Sequence, residues 1–241
     1  MYLRGSTWSM RRRKRRSNPF LIGILVMLIA GAFYINQFVV PTTGPLFVPT
    51  PTPTRPPESF VQEAEAAYNE GKLLAAIEAY KKAIQADPGN RANFVALARV
   101  QNFAGEYAEA QKNAELALVG NDSYALAHGI RAWALNEQGN YLEAEAAVRR
   151  AIELEPDNPL FQAYYAEILI DKGDFGDLEK AIQASRDAID KGPNLLESHR
   201  ARGYVLLNTA NYEEAISEYK AALAINDRIP DLHLALQPLG E

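Results

Sequence analysis

Small residues recur along this chain every 34 positions, and that recurrence limits the possible folds more than any local pattern does. Ala64, Ala98, Ala132 and Ala166 keep the spacing, with Gly203 next in the series, and Gly71, Gly105, Gly139 and Gly173 keep it too. Two further series run through Ala76, Ala110, Ala144, Ala181 and Ala215, and through Ala83, Ala117, Ala151, Ala188 and Ala222. A unit this short cannot bury an apolar face alone and must stack on its neighbours. Paired helices approach closely only where no bulky side chain intervenes, so the alanines mark the crossings.

Larger residues and helix breakers complete the unit. Tyr107, Tyr141, Phe175 and Tyr212 sit just past the turn between the two helices, and Pro88, Pro156 and Pro193 follow the second helix, which proline cannot continue. With these residues in place the chain resembles the tetratricopeptide repeat family. The resemblance implies an all-α fold, a helix-turn-helix solenoid of five repeats over residues 58–229. A partial sixth repeat, or cap, follows at 230–241. The fourth unit is three residues longer than the others, and the addition is assigned to the turn at residues 173–181. The acidic run from Asp171 to Glu179 reads as a solvated turn. Leu232, Leu234 and Leu236 begin a helix that Pro238 interrupts. The last face of repeat five, around Leu223 and Ile225, is therefore expected to lack a cover. That predicts either a homo-oligomer formed through the carboxy-terminal end or a fragment of a longer array.

The first quarter of the chain is a different polymer. Residues 1–19 form a basic tail with Arg11, Arg12, Arg13, Lys14, Arg15 and Arg16. Residues 20–40 carry no charge, and at about 1.5 Å per helical residue they span roughly 30 Å, the thickness of a bilayer core. The excess of basic residues before the span predicts a single-pass membrane helix with the amino terminus in the cytoplasm and the repeats outside it. Cleavage after Ala30-Gly31-Ala32 competes with that reading, but the apolar stretch continues through Phe38-Val39-Val40 and favours an uncleaved anchor. Residues 41–57 hold seven prolines, a composition that favours an extended polyproline linker.

Charge divides at the same place. The first 57 residues carry a net +8, whereas the rest hold 17 basic and 30 acidic residues, a net −13. So acidic a domain would repel phosphates, which argues against nucleic acid as a partner. There is no cysteine, and no phosphate loop, nucleophile elbow or paired-carboxylate motif is found. No catalytic residue, cofactor or metal site is expected, and the chain does not read as an enzyme. His128, His199 and His233 share the fourth slot of their repeats with Phe60 and Phe94, so a common packing role is expected for them rather than metal ligation.

The resemblance places the binding surface on the concave side, lined by the first helix of each unit. Carried over to this sequence, the inward positions give Tyr68, Val95, Arg99, Asn102, Phe103, Trp133, Asn136, Glu167, Arg200, Tyr204 and Asn208 as a peptide-binding groove. Aromatic bodies beside amide and guanidinium groups suit an extended peptide. An alternative left open by the residues is that Trp133, Phe103 and Tyr164 plug gaps between helices. Family members that clamp chaperone tails do so with lysine and asparagine. Val95, Arg99, Gly129 and Trp133 stand at those positions here, so that specificity is not expected.

The function expected is a membrane-anchored, extracytoplasmic scaffold. It would mediate protein–protein interaction by binding peptide segments in its groove during envelope assembly or secretion. Two readings compete with it: the docking arm of a larger enzyme whose catalytic part lies beyond Glu241, and a self-assembling repeat protein.

Overall fold

Every alanine of the three periodic series is fully buried. The computed structural model describes residues 18–39 and 55–237 and divides the chain at residue 54 into two units. The basic run at 11–16, the proline-rich tract at 41–54 and Pro238 lie outside the described residues.

In the first unit, α1 (Pro19–Tyr34) continues as a single π-helical stretch, Ile35–Val39. Its start follows from Asn18, whose side chain accepts a hydrogen bond from the Phe20 amide at 3.1 Å, with Pro19 at the first helical position. The apolar helix thus begins one residue earlier than the sequence suggests. Residues Pro19–Phe38 are long and apolar enough to cross a membrane, and none is buried against protein.

The second unit is a run of helical hairpins. These are α2 (Pro57–Asn69) with α3 (Leu73–Ala86), α4 (Arg91–Phe103) with α5 (Tyr107–Leu118), and α6 (Ala125–Glu137) with α7 (Tyr141–Leu154). Next come α8 (Pro159–Lys172) with α9 (Leu178–Lys191), α10 (Leu196–Asn208) with α11 (Tyr212–Ile225), and a short α12 (Pro230–Leu236). No strand occurs among the described residues. Asn90 and Asn158 cap α4 and α8 by accepting from the amides of Ala92 and Leu160, each at 3.1 Å. One apolar core extends from Val95 of α4 to Leu236 of α12.

The glycine series has a backbone cause. Gly71, Gly105, Gly139 and Gly173 lie at φ between 70° and 78°, the left-handed conformation that ends the first helix of each pair. In the fifth repeat the same slot holds Ala210 at φ 61°. A left-handed alanine costs roughly 1–2 kcal/mol, against which glycine's extra unfolded-state freedom is worth about 0.4–1 kcal/mol. Ala210→Gly is therefore expected to stabilise the fold by about 0.5–1 kcal/mol. Thermal melts of the full chain in detergent check this, and a lowered melting temperature would contradict it.

Most of the fourth repeat's insertion does fall in its turn. Five residues, Gly173 to Asp177, separate α8 from α9, where three separate the helices of the other pairs; α8 itself is one residue longer than α2, α4, α6 and α10. The solvated-turn reading of the acidic run needs correction. Asp177 is buried, and Lys172 Nζ lies 2.6 Å from it, 2.6 Å from Glu145 on α7 and 3.1 Å from Asp174. Hydrogen bonds from Lys172 and Lys180 hold the Asp177 carboxyl below its ordinary range. The turn is tied down by charge, because a buried carboxylate is tolerated only when paired.

The expected uncovered face of repeat five is covered only in part: Ile225 stays exposed and Leu223 is half-buried. Ile229, Leu232 and Leu236 are buried in the core, and α12 packs on α11, while Leu234 points to solvent. The array closes on itself at this end. Arg228 Nη1 donates to the Glu70 carbonyl at 3.1 Å, and a Cβ on Gly71 would sit 2.7 Å from the Arg228 Cβ. Repeat one and the segment after repeat five are therefore in contact.

The three histidines share one device. Each Nε2 donates to the carbonyl six residues before it, His128 to Asp122 at 3.0 Å, His199 to Pro193 at 2.9 Å and His233 to Asp227 at 2.7 Å. The slot ties the loop between repeats to the next helix. That is the packing role the shared position implies.

Candidate functional site

On the side lined by the first helices, part of the space is filled by the protein's own side chains. Tyr68, Phe103, Trp133 and Tyr164, contributed by four successive first helices, form a row with ring centroids 5.7, 4.7 and 5.4 Å apart. Trp133 is 2% exposed. Aromatic pairs at such spacing add about 0.5–1.5 kcal/mol each beyond the area they bury. The gap-plugging alternative therefore describes Phe103, Trp133 and Tyr164.

Two ion pairs cross the same region. Arg99 on α4 donates from Nε to Glu197 on α10 at 3.1 Å, across 98 residues of sequence. Glu197 is 0% exposed. Arg200 on α10 grips Glu167 on α8 through Nε at 2.9 Å and Nη2 at 2.8 Å, and its guanidinium lies 4.4 Å from the centre of the Trp133 ring. Such two-point pairing fixes orientation as well as charge.

Beyond these pairs, Asp171 accepts from the Asn136 amide and from the Tyr204 hydroxyl. These residues belong to a cavity of about 470 Å³, also lined by Tyr107, Glu137, Tyr141, Glu167, Arg200, Tyr219 and, from α12, Leu232 and Ala235. A second cavity of about 440 Å³ shares no lining residue with it and is bounded by Glu65, Tyr68, Tyr80, Val95, Arg99 and Tyr124 among others.

Two tetratricopeptide repeat family models match the chain, one at residues 95–159, 131–195 and 167–230 and the other at 57–90. The chain belongs to the tetratricopeptide repeat family. A thermophilic tetratricopeptide protein of Thermus thermophilus is similar in fold, with a TM-score of 0.63 at 17% identity, over 76% of this chain and 98% of that one. Among curated proteins, the human Protein O-mannosyl-transferase TMTC1 is 24% identical over 178 residues, 72% of this chain. The chain spans 20% of the length of that relative.

The tetratricopeptide register explains where the eleven groove candidates lie. Val95, Asn102, Phe103, Trp133, Asn136 and Glu167 are buried; Tyr68, Arg99, Arg200 and Tyr204 are partly buried; Asn208 is exposed and donates to the Tyr204 carbonyl. Asn102 donates to the Ile130 carbonyl at 3.2 Å, joining α4 to α6. Of the eleven, Asn136, Glu167, Arg200 and Tyr204 meet at the larger cavity, and Tyr68, Val95 and Arg99 at the smaller.

Glu197, Asp171 and Glu137 are not among the residues that the sequence singles out. Glu197 occupies the second slot of its repeat, an inward slot by the family pattern, so register alone would have found it. Asp171 is hidden by its place in an acidic run. Tyr107 and Tyr141, which in sequence mark the turn, also wall the cavity.

Burial pushes the Glu167 carboxyl from its ordinary 4.5 up to about 7, against the pull of Arg200 and with Glu137 and Asp171 adding repulsion. Between those values the folded chain keeps a proton that the unfolded chain has released, so this residue's contribution to stability falls as pH rises toward 7. Melting temperature is therefore expected to drop between about pH 5 and 8 more in the wild type than in Glu167→Gln. Equal slopes in the two proteins would contradict the assignment.

Proposed function

We propose that this tetratricopeptide array is a membrane-anchored, extracytoplasmic scaffold that holds a protein partner by a peptide segment at its concave side, in envelope assembly or secretion, and is not itself an enzyme. The cavity of about 470 Å³ carries the reading, because first helices of three repeats and α12 converge there on polar and aromatic side chains while part of the neighbouring space is filled. The anchor is the apolar helix at Pro19–Phe38. The basic residues before it support an amino terminus in the cytoplasm, with the acidic repeats on the other side.

Crosslinking in intact membranes followed by purification of the full chain tests the scaffold, and a reporter fused after Glu241 tests the orientation. A discrete protein adduct and a reporter active only outside the cytoplasm are expected. Absence of any adduct, or a reporter active in the cytoplasm, would overturn the corresponding half. The likeness to one fifth of an O-mannosyl-transferase favours a second reading, in which the repeats are the docking arm of a longer enzyme. A transcript that continues past codon 241 into a catalytic domain would decide for it.

A further inference from the structure

Resting on the scaffold reading, we infer that the larger cavity recognises a lysine or arginine side chain of the bound peptide, so that the partner segment is basic. Asp171 provides the first reason. Its partners among the described residues are neutral donors, the Asn136 amide and the Tyr204 hydroxyl. Among the described residues Arg200 is the one arginine lining the cavity, and it is committed to Glu167 by two hydrogen bonds. A carboxylate held only by neutral donors is a seat for a cation.

Asn136 provides the second, independent reason. It is 4% exposed, it lines the cavity, and its Oδ1 is a buried acceptor without a partner. Leaving such an acceptor unmet costs free energy, and a small turn of the amide toward the cavity would bring it to a donor-rich ammonium or guanidinium group. Glu137 adds a further acceptor, already taking the Trp133 indole N–H at 3.2 Å. Four tyrosines, at 107, 141, 204 and 219, wall the space. Their ring faces attract a cation and cover an aliphatic stem. The occupant is carried by a peptide, because a repeat domain of net −13 steers a basic chain toward it at long range.

Trp133 reports on the cavity through Glu137. The chain has two tryptophans, Trp8 and Trp133, so Trp8→Phe leaves Trp133 as the only emitter. The full-length Trp8→Phe chain in detergent is titrated with acetylated hexalysine, hexaglutamate and spermidine at physiological salt.

A saturable change in emission is expected with hexalysine, none with hexaglutamate, and a dissociation constant at least tenfold weaker in Asp171→Asn. The exposed-surface control Glu143→Gln is expected to leave the constant unchanged. No saturable change, an unchanged constant in Asp171→Asn, or spermidine binding as tightly as hexalysine would overturn the assignment. If Asp171→Asn loses its helical circular dichroism, Tyr141→Ala at the rim takes its place, and an unchanged constant there overturns it equally. A membrane crosslink to a protein partner that survives Asp171→Asn undiminished would uphold the scaffold and refute this cavity as its contact.

Discussion

Arg99→Leu is expected to destabilise the repeat domain by about 3–5 kcal/mol, because it takes the hydrogen-bonded counter-charge from the fully buried Glu197 carboxylate and leaves it only the more distant Arg200. The cost lies in the stranded charge and not in a loss of attraction. Adding Glu197→Leu should therefore restore much of the stability, since an apolar pair of similar volume can replace a buried ion pair at little net cost. Thermal and denaturant melts of the two single variants and the double variant form the cycle. A double variant as unstable as Arg99→Leu alone, or a single variant within about 1 kcal/mol of wild type, would show that Glu197 is not held by Arg99.

Trp133→Ala is expected to cost about 3–5 kcal/mol as well, by a different route. The indole lies between Phe103 and Tyr164, beneath Arg200, and hydrogen-bonds Glu137. Its removal opens a void in the aromatic row and takes away the surface on which the Arg200 guanidinium rests. Trp133→Phe keeps part of the stack and should recover about half of the loss or more. If Trp133→Ala melted like wild type, the row would not be part of the core.

The parts of the fold legible in the sequence are those fixed inside one repeat. Ala132 must be small because α6 meets its neighbours there, and Gly139 must reach positive φ because α6 ends there; both constraints recur at the repeat period. The breakers show helix ends for the same reason, as Pro88 and Pro156 do after α3 and α7. What escaped depends on the path of the whole array. Arg99 meets Glu197, and Arg228 meets Glu70, only because the array curves far enough to bring repeats two and five together and repeat one to the segment before α12. That curvature comes from the sum of many small rotations between units, which no single position encodes.

Within the site, the family register found Asn136, Glu167, Arg200 and Tyr204, because inward positions repeat. It left open whether Phe103, Trp133 and Tyr164 would line the groove or pack against one another and fill part of it. Side-chain volume across three units decides that. Ala210 shows the opposite failure, a left-handed slot with the residue type that usually marks a helix crossing.

A partner is expected to meet this array at the cavity walled by Tyr141 and Ala235, and the proposed mode of peptide binding depends on that contact. Site-specific photocrosslinking of the full chain in its native membrane tests it most directly, with the photoreactive residue placed in turn at Tyr141, at Ala235 and at the exposed Leu142. A discrete protein adduct is predicted from Tyr141 and Ala235, diminished by Asp171→Asn, and none from Leu142. Adducts from Leu142 alone, or adducts at all three positions indifferent to Asp171→Asn, would contradict it.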